Sequence, residues 1–164
     1  MKTILILLFL SAVVPEALAQ TGSSYTQNAV YFEGLGQGLL YSVDFDHRFT
    51  ENIAFRAGFS SFTIEFISDV SITTIPLMIE YLTGHGSSHL ELGLGIVPIH
   101  GSLSTSFFGT TEGSVGAWAV LGTATVGYRY QPVKEGILFR VGLTPLMGGG
   151  EVQIWGGASV GWAF

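Results

Sequence analysis

Past an apolar run at residues 4–14, the hydrophobic positions of this chain recur at every second residue rather than every third or fourth. The segment 39–49 is the clearest case. Leu39, Tyr41, Val43, Phe45 and Phe49 share one face with His47, and Leu40, Ser42, Asp44, Asp46 and Arg48 share the other. Strand side chains alternate between faces with period two, so this is the pattern of a β-strand. The same alternation predicts strands at residues 28–35, 53–60, 72–83, 90–96, 118–130, 137–144 and 154–164, about eight in all. Turn residues separate them: Gly36-Gln37-Gly38, Thr50-Glu51-Asn52, residues 84–88 and residues 131–136. Near Ser60 and Ser61 the phase slips, which predicts a bulge. Pro76 has no N–H for a ladder, which predicts a local irregularity. Residues 65–71, 101–114 and 147–153 read as longer loops on one side, with shorter turns on the other. No helical period follows the first apolar run.

Composition changes the picture more than charge does. Hydrophobic residues make up 48% of the 164 residues and mean hydropathy is +0.50, yet no long apolar run follows residue 19. That suits apolar residues dispersed along lipid-facing strands. A soluble eight-stranded barrel with an apolar cavity is the rival. The polar face discriminates: it is mostly Gly, Ser, Thr and Ala, and Lys134, in a predicted turn, is the one lysine after residue 19. A water-facing sheet would be far richer in charge. Small residues with scattered charges suit the narrow lumen of an eight-stranded barrel. The expected fold is all-β: an eight-stranded antiparallel up-and-down transmembrane β-barrel over residues 20–164. The 23 glycines fit turns and crowded strand interiors. Cysteine is absent, so disulfides contribute nothing. The net charge of −6 argues against a nucleic-acid partner.

Charges on the polar face are nearly balanced. Asp44, Asp46, Glu80, Glu91 and Glu33 oppose Arg48, Arg56, Arg129 and Arg140. If Phe49 pairs with Ile53, Asp46 stands directly opposite Arg56. Glu80, Glu91, Arg129 and Arg140 come from successive strands near one end and are expected to meet. Buried charges are tolerated when paired, so these residues predict a salt-bridged plug filling the lumen. Phe49, Tyr81, Tyr128, Tyr130, Trp162 and Phe164 fall near the same end of their strands and predict an interfacial aromatic girdle. His85 and His89 flank a turn without a third ligand, so neither a metal site nor a cofactor is expected.

Lys2, the apolar run of 11 residues at 4–14 and Ala17-Leu18-Ala19 predict a secretory signal peptide over residues 1–19. The run is too short to cross a bilayer as a helix, which needs ~20 residues. At the other end, Ala158, Val160, Trp162 and Phe164 share one strand face and the chain stops on an aromatic. This resembles the C-terminal signal of bacterial outer-membrane β-barrels, which implies recognition by the barrel-insertion machinery through the strand ending at Phe164. Further stretches are similar to small outer-membrane β-barrel proteins of Bacteroidetes-type bacteria: Asn28-Ala29-Val30-Tyr31-Phe32-Glu33, Leu39-Leu40-Tyr41-Ser42-Val43, Thr74-Ile75-Pro76-Leu77, Tyr81-Leu82-Thr83-Gly84, His89-Leu90-Glu91-Leu92-Gly93 and Gly127-Tyr128-Arg129-Tyr130-Gln131-Pro132. The resemblance implies a Gram-negative outer-membrane location, with outer-membrane lipid and lipopolysaccharide as surroundings. It implies no reaction, since fold does not dictate function.

Two kinds of eight-stranded outer-membrane barrel modify lipid A, and one, a 3-O-deacylase, uses His-x-Ser with a downstream Glu. His100-Gly101-Ser102 with Glu112 has that arrangement, in which His would serve as base to Ser and Glu would orient the imidazole. The Asn after the Ser and the Asn-Pro-Gly stretch of that family are missing. The expectation is therefore a non-catalytic barrel with a plugged interior, structural or surface-binding through its outer loops. A lipid A-modifying enzyme and a narrow solute pore stand as alternatives.

Overall fold

The computed structural model describes residues 25–65, 69–84, 86–107 and 110–164 of the chain. The segment expected to be a signal peptide lies outside them, as do His85, Phe66 and Phe108. The strands are β1 (Asn28–Leu35), β2 (Tyr41–Arg48), β3 (Ile53–Glu65), β4 (Asp69–Thr74), β5 (Leu77–Thr83), β6 (Ser88–Phe107), β7 (Thr110–Tyr130), β8 (Gly136–Gly148) and β9 (Glu151–Ala163). All neighbours pair antiparallel, and β9 returns to β1, so the sheet closes on itself. β4 and β5 are two lengths of one stave, interrupted at Ile75 and Pro76, and both pair with β3 and β6. The result is an eight-stranded antiparallel barrel. Closure leaves no sheet edge within the wall, which is the condition for a strand to cross lipid.

Around Pro76 the missing ladder bond is bypassed. The Pro76 carbonyl accepts from Gly58 N–H at 2.8 Å, and Ile75 N–H donates to the Pro98 carbonyl at 3.0 Å. Closure at the seam is reciprocal: Asn28 and Phe164 exchange both backbone bonds, at 2.9 and 2.8 Å.

Two expectations about the outer side are corrected. The described part of residues 101–114 is strand rather than loop. β6 and β7 pair continuously from Ser88↔Tyr130 outward past Ser104↔Ser114, with one irregularity between Thr105 and Ser106. Nor are residues 147–153 a loop: β8 and β9 pair up to Gly148↔Glu151, and Gly149 and Gly150 alone make the turn. Their φ values are +61° and +84°, the left-handed conformation that a two-residue hairpin needs at both positions. Replacing both with alanine is expected to cost ~2–4 kcal/mol, at ~1–2 kcal/mol per left-handed residue. The folded fraction in a urea titration would show it.

The bulge expected at Ser60 and Ser61 is also absent. β3 keeps one register through Ala57↔Leu77 and Ser60↔Thr74. What changes there is polarity. Below this level the outward residues are apolar: Phe55, Ala57 and Phe59 on β3, Leu77 and Ile79 on β5, Leu92, Leu94, Ile96 and Pro98 on β6. Above it they are Ser61 and Thr63, Thr73 and Ser71, His100 and Ser102. The inward side inverts the other way, from Arg56, Gly58 and Ser60 to Phe62 and Ile64. β2 pairs with β3 only as far as Val43↔Phe59. Beyond that row β3, β4, β6 and β7 continue as a four-stranded sheet above the barrel, with no lumen behind them. Leu90 to Pro98, the apolar length of β6, is about the 9–11 residues a tilted strand needs to cross a membrane.

The lumenal charge network and the outward sheet

Within the belt every strand turns its apolar face outward. Leu94 is 70% exposed, Ile79 65% and Ile137 61%, and similar residues ring the wall. The buried side is polar: Glu33, Ser42, Asp44, Asp46, Arg56, Glu80, Glu91, Thr125, Arg129, Arg140 and Ser159 are all buried. Among the described residues, the clustered apolar core inside is small, formed by Ala29, Tyr31, Leu138 and Ala163. A soluble barrel with a greasy cavity would show the reverse.

The lumen is held together by arginines reaching across it. Arg129 grips Asp46 with both terminal nitrogens, at 2.8 and 2.9 Å, and reaches Glu80 at 3.2 Å. Arg140 donates its Nε to Glu91 at 2.9 Å and one Nη to Glu80 at 3.1 Å. A further Arg140–Glu91 contact makes that pair a two-pronged one. Its other Nη donates to the Tyr31 hydroxyl at 2.8 Å. Arg56, wholly buried, lies 3.3 Å from Glu80, 3.6 Å from Glu33 and 3.9 Å from Asp44. Glu80 thus touches three guanidiniums and is the hub. Two-pronged arginine–carboxylate pairs combine strength with fixed orientation.

The register places Asp46 opposite Arg56, yet the two do not pair. Side chains stand roughly perpendicular to a sheet, so in a narrow barrel they converge on the axis. Asp46 is claimed by Arg129 from the opposite wall. Glu80, Glu91, Arg129 and Arg140 do meet. Arg48 takes another position. At the last residue of β2, it lies over the Tyr25 ring at 4.7 Å and donates to the Glu51 carbonyl. There Thr26 and Gln131 close the same mouth, with Gln131 Nε2 donating to Thr26 Oγ1 at 2.8 Å.

The opposite mouth is closed by a residue that sequence reasoning left in a turn. Gly36–Gly38 forms one turn of 3₁₀ helix folded into the barrel, with Gln37 fully buried. Gln37 Nε2 donates to Thr125 Oγ1 at 2.6 Å, and its backbone N–H donates to Glu33 at 3.3 Å. The fold is bought with strain: Leu35 and Leu39 have φ of +63° and +70°, a region costing of order 1–3 kcal/mol for a residue with a side chain. Trp155 Nε1 holds the Leu39 carbonyl at 3.2 Å. Gly157 makes room, since a Cβ there would sit 2.9 Å from Gly36 Cα. A cavity of about 10 Å³ lies beside Glu33, Glu91 and Arg140, about the space of one water.

The aromatic residues Phe49, Tyr81, Tyr128 and Trp162 project outward at the Arg48 end, joined by Tyr130 and Phe164. Tyr130 stacks on Phe139 at 5.1 Å, and the Tyr128 hydroxyl bonds Ser88 at 3.0 Å.

His100 and Ser102 lie on the outward face of β6, but the His100 ring packs against Trp118, 4.8 Å between centroids. Residue 112 is six residues further along β7 than Trp118, the pairing partner of His100, so its backbone lies ~20 Å away at ~3.3 Å per residue. A relay from Glu112 to His100 to Ser102 is not assembled. Among the described residues, no group of three or more His, Asp or Glu is placed to hold a metal ion.

Comparison with known proteins fits this arrangement. The N-terminal β-barrel domain of Pseudomonas aeruginosa OprF superposes with a TM-score of 0.60 at 12% identity, covering 88% of this chain and 100% of that domain. The fold is that of an outer-membrane β-barrel. Ail, the attachment invasion locus protein of Yersinia pestis, matches at a TM-score of 0.49 and 13% identity, over 84% of this chain and 97% of its own. No family model matches the sequence. No curated protein matches it either.

Proposed function

We propose that the protein is a non-catalytic barrel of the Gram-negative outer membrane, closed to solutes, that anchors and presents its outward sheet. One observation carries this reading: the lumen is filled by interlocked ion pairs and sealed at both mouths by Gln37 and by Thr26 with Gln131. A passing ion would have to displace buried, paired charges, and breaking such a pair costs ~3–5 kcal/mol. In this reading the strand ending at Phe164 is what the insertion machinery recognises, and the apolar belt meets outer-membrane lipid and lipopolysaccharide. The likeness to the small domain is one of fold and says nothing of a reaction.

Purified protein refolded into planar bilayers is expected to give no steady single-channel steps at moderate voltage. A reproducible unitary conductance would replace the closed anchor with a pore.

A further inference from the structure

We propose that the outward face of the projecting sheet binds the neutral sugars of an outer-leaflet glycolipid. This rests on the membrane-anchored reading above.

The face is defined by register. Ser61, Thr73, His100 and Trp118 form one row across β3, β4, β6 and β7, and Thr63, Ser71, Ser102 and Gly116 form the next. These rows follow directly on the apolar belt, so they stand where lipid head groups begin. Trp118 is 65% exposed. The His100 ring lies beside it, and Gly116 allows this, because a Cβ there would come 3.1 Å from His100 Nε2. The two rings, 4.8 Å between centroids and tilted 45° to each other, therefore form one joined aromatic patch on the sheet. Beside the patch, Ser61 and Thr73 hydroxyls are 3.1 Å apart, and those of Thr63 and Ser71 2.9 Å apart.

An exposed indole offers its face to the C–H edges of a sugar ring, while paired hydroxyls both donate and accept, as sugar hydroxyls do. The charge pattern selects among head groups. Between Phe59 and Thr74 and between Ile99 and Leu121 there is no Lys or Arg. Phosphate recognition normally relies on such cations, so the phosphorylated part of a glycolipid is not what these rows fit. Uncharged hexoses are. The patch also continues the lipid-facing belt, so a lipid-tethered sugar is held at high effective concentration beside it, which a free glycan is not.

The test uses the whole refolded barrel in micelles holding equal amounts of two lipopolysaccharides, one with a hexose-bearing core and one cut back to its acidic inner sugars. Native mass spectrometry reads which is retained. The wild type is expected to favour the hexose-bearing form by about tenfold, and Trp118→Ala to abolish that preference, the scale of losing one central aromatic contact. Trp118→Phe should keep part of it, and Trp162→Ala, at the opposite rim, all of it. Heat-modifiable gel migration verifies that each variant is folded. Equal retention of the two forms by wild type overturns the proposal, as does a preference that survives Trp118→Ala. If Trp118 is only an interfacial anchor, its loss lowers retention of both forms alike. Competition by free hexose oligosaccharide at equal concentration would assign the face to a soluble glycan instead. Failure of the membrane reading looks different: the protein then leaves the micelle altogether.

Discussion

Glu80→Leu is expected to lower the stability of the folded barrel by ~3–5 kcal/mol, the cost of leaving a buried charge without its partner. Glu80 stands 3.1 to 3.3 Å from Arg140, Arg129 and Arg56. The loss falls unevenly. Arg129 keeps Asp46, and Arg140 keeps Glu91. Arg56 is left with Glu33 at 3.6 Å and Asp44 at 3.9 Å, too far for good hydrogen bonds. The damage should therefore be traceable to Arg56. Combining Glu80→Leu with Arg56→Met removes the stranded charge but takes the cation away from Glu33 and Asp44 as well, so it is expected to recover only part of the loss rather than the near-neutral outcome of replacing an isolated pair. Urea titration of the unboiled, folded species measures the wild type and both variants. A drop below ~1 kcal/mol for the single change, within the range of a surface pair, would mean that the lumen is wet enough to screen its charges.

Gly161→Val is expected to prevent the barrel from closing. Gly161 sits on β9 opposite Tyr31 of β1, at the seam where the two ends of the sheet meet. A Cβ at Gly161 would lie 2.5 Å from Tyr31 Cα. Backbone cannot rotate aside as a side chain can, so the strands must part, at a cost above the ~1–3 kcal/mol of ordinary overpacking. The heat-sensitive folded band should disappear. Gly34 on β1 is the control: the nearest atom to its Cβ would be the Ala158 carbonyl oxygen at 3.9 Å. Gly34, on the same seam opposite Ala158, has that room, so Gly34→Ala should fold like the wild type, and if both variants fail alike the cause is not the close approach at Gly161.

Much of this architecture was legible in alternation alone, because within the apolar belt each strand keeps one face apolar and the other polar. The register at Thr50-Glu51-Asn52 was legible as well, since a short turn fixes which residues oppose. Which arginine takes which acid was not. Asp46 and Arg56 are neighbours along the wall, but partners inside a narrow barrel are chosen across the axis, and strand order around a closed sheet decides that. The outer hairpins were misread for a related reason. Above the belt β3, β4, β6 and β7 continue without a lumen, so Phe62 and Ile64 take the side that Arg56 and Ser60 hold below. The polarity pattern slips although the pairing does not. Gln37 gave no warning at all: flanked by two glycines it reads as a solvent-exposed turn, and only the low β1–β2 hairpin makes folding inward possible.

The placement of the four arginines has a practical corollary for work on intact cells. All of them lie inside the barrel wall or at the mouth next to Tyr25, and Lys134 lies in the turn between β7 and β8 at that same end. If the sheet faces the medium, trypsin added to whole cells meets no cleavage site on it, and amine-directed labels meet no lysine. Surface-shaving surveys would pass over this protein however abundant it is. A protease that cuts beside aromatic residues, with Trp118 in reach, would find it.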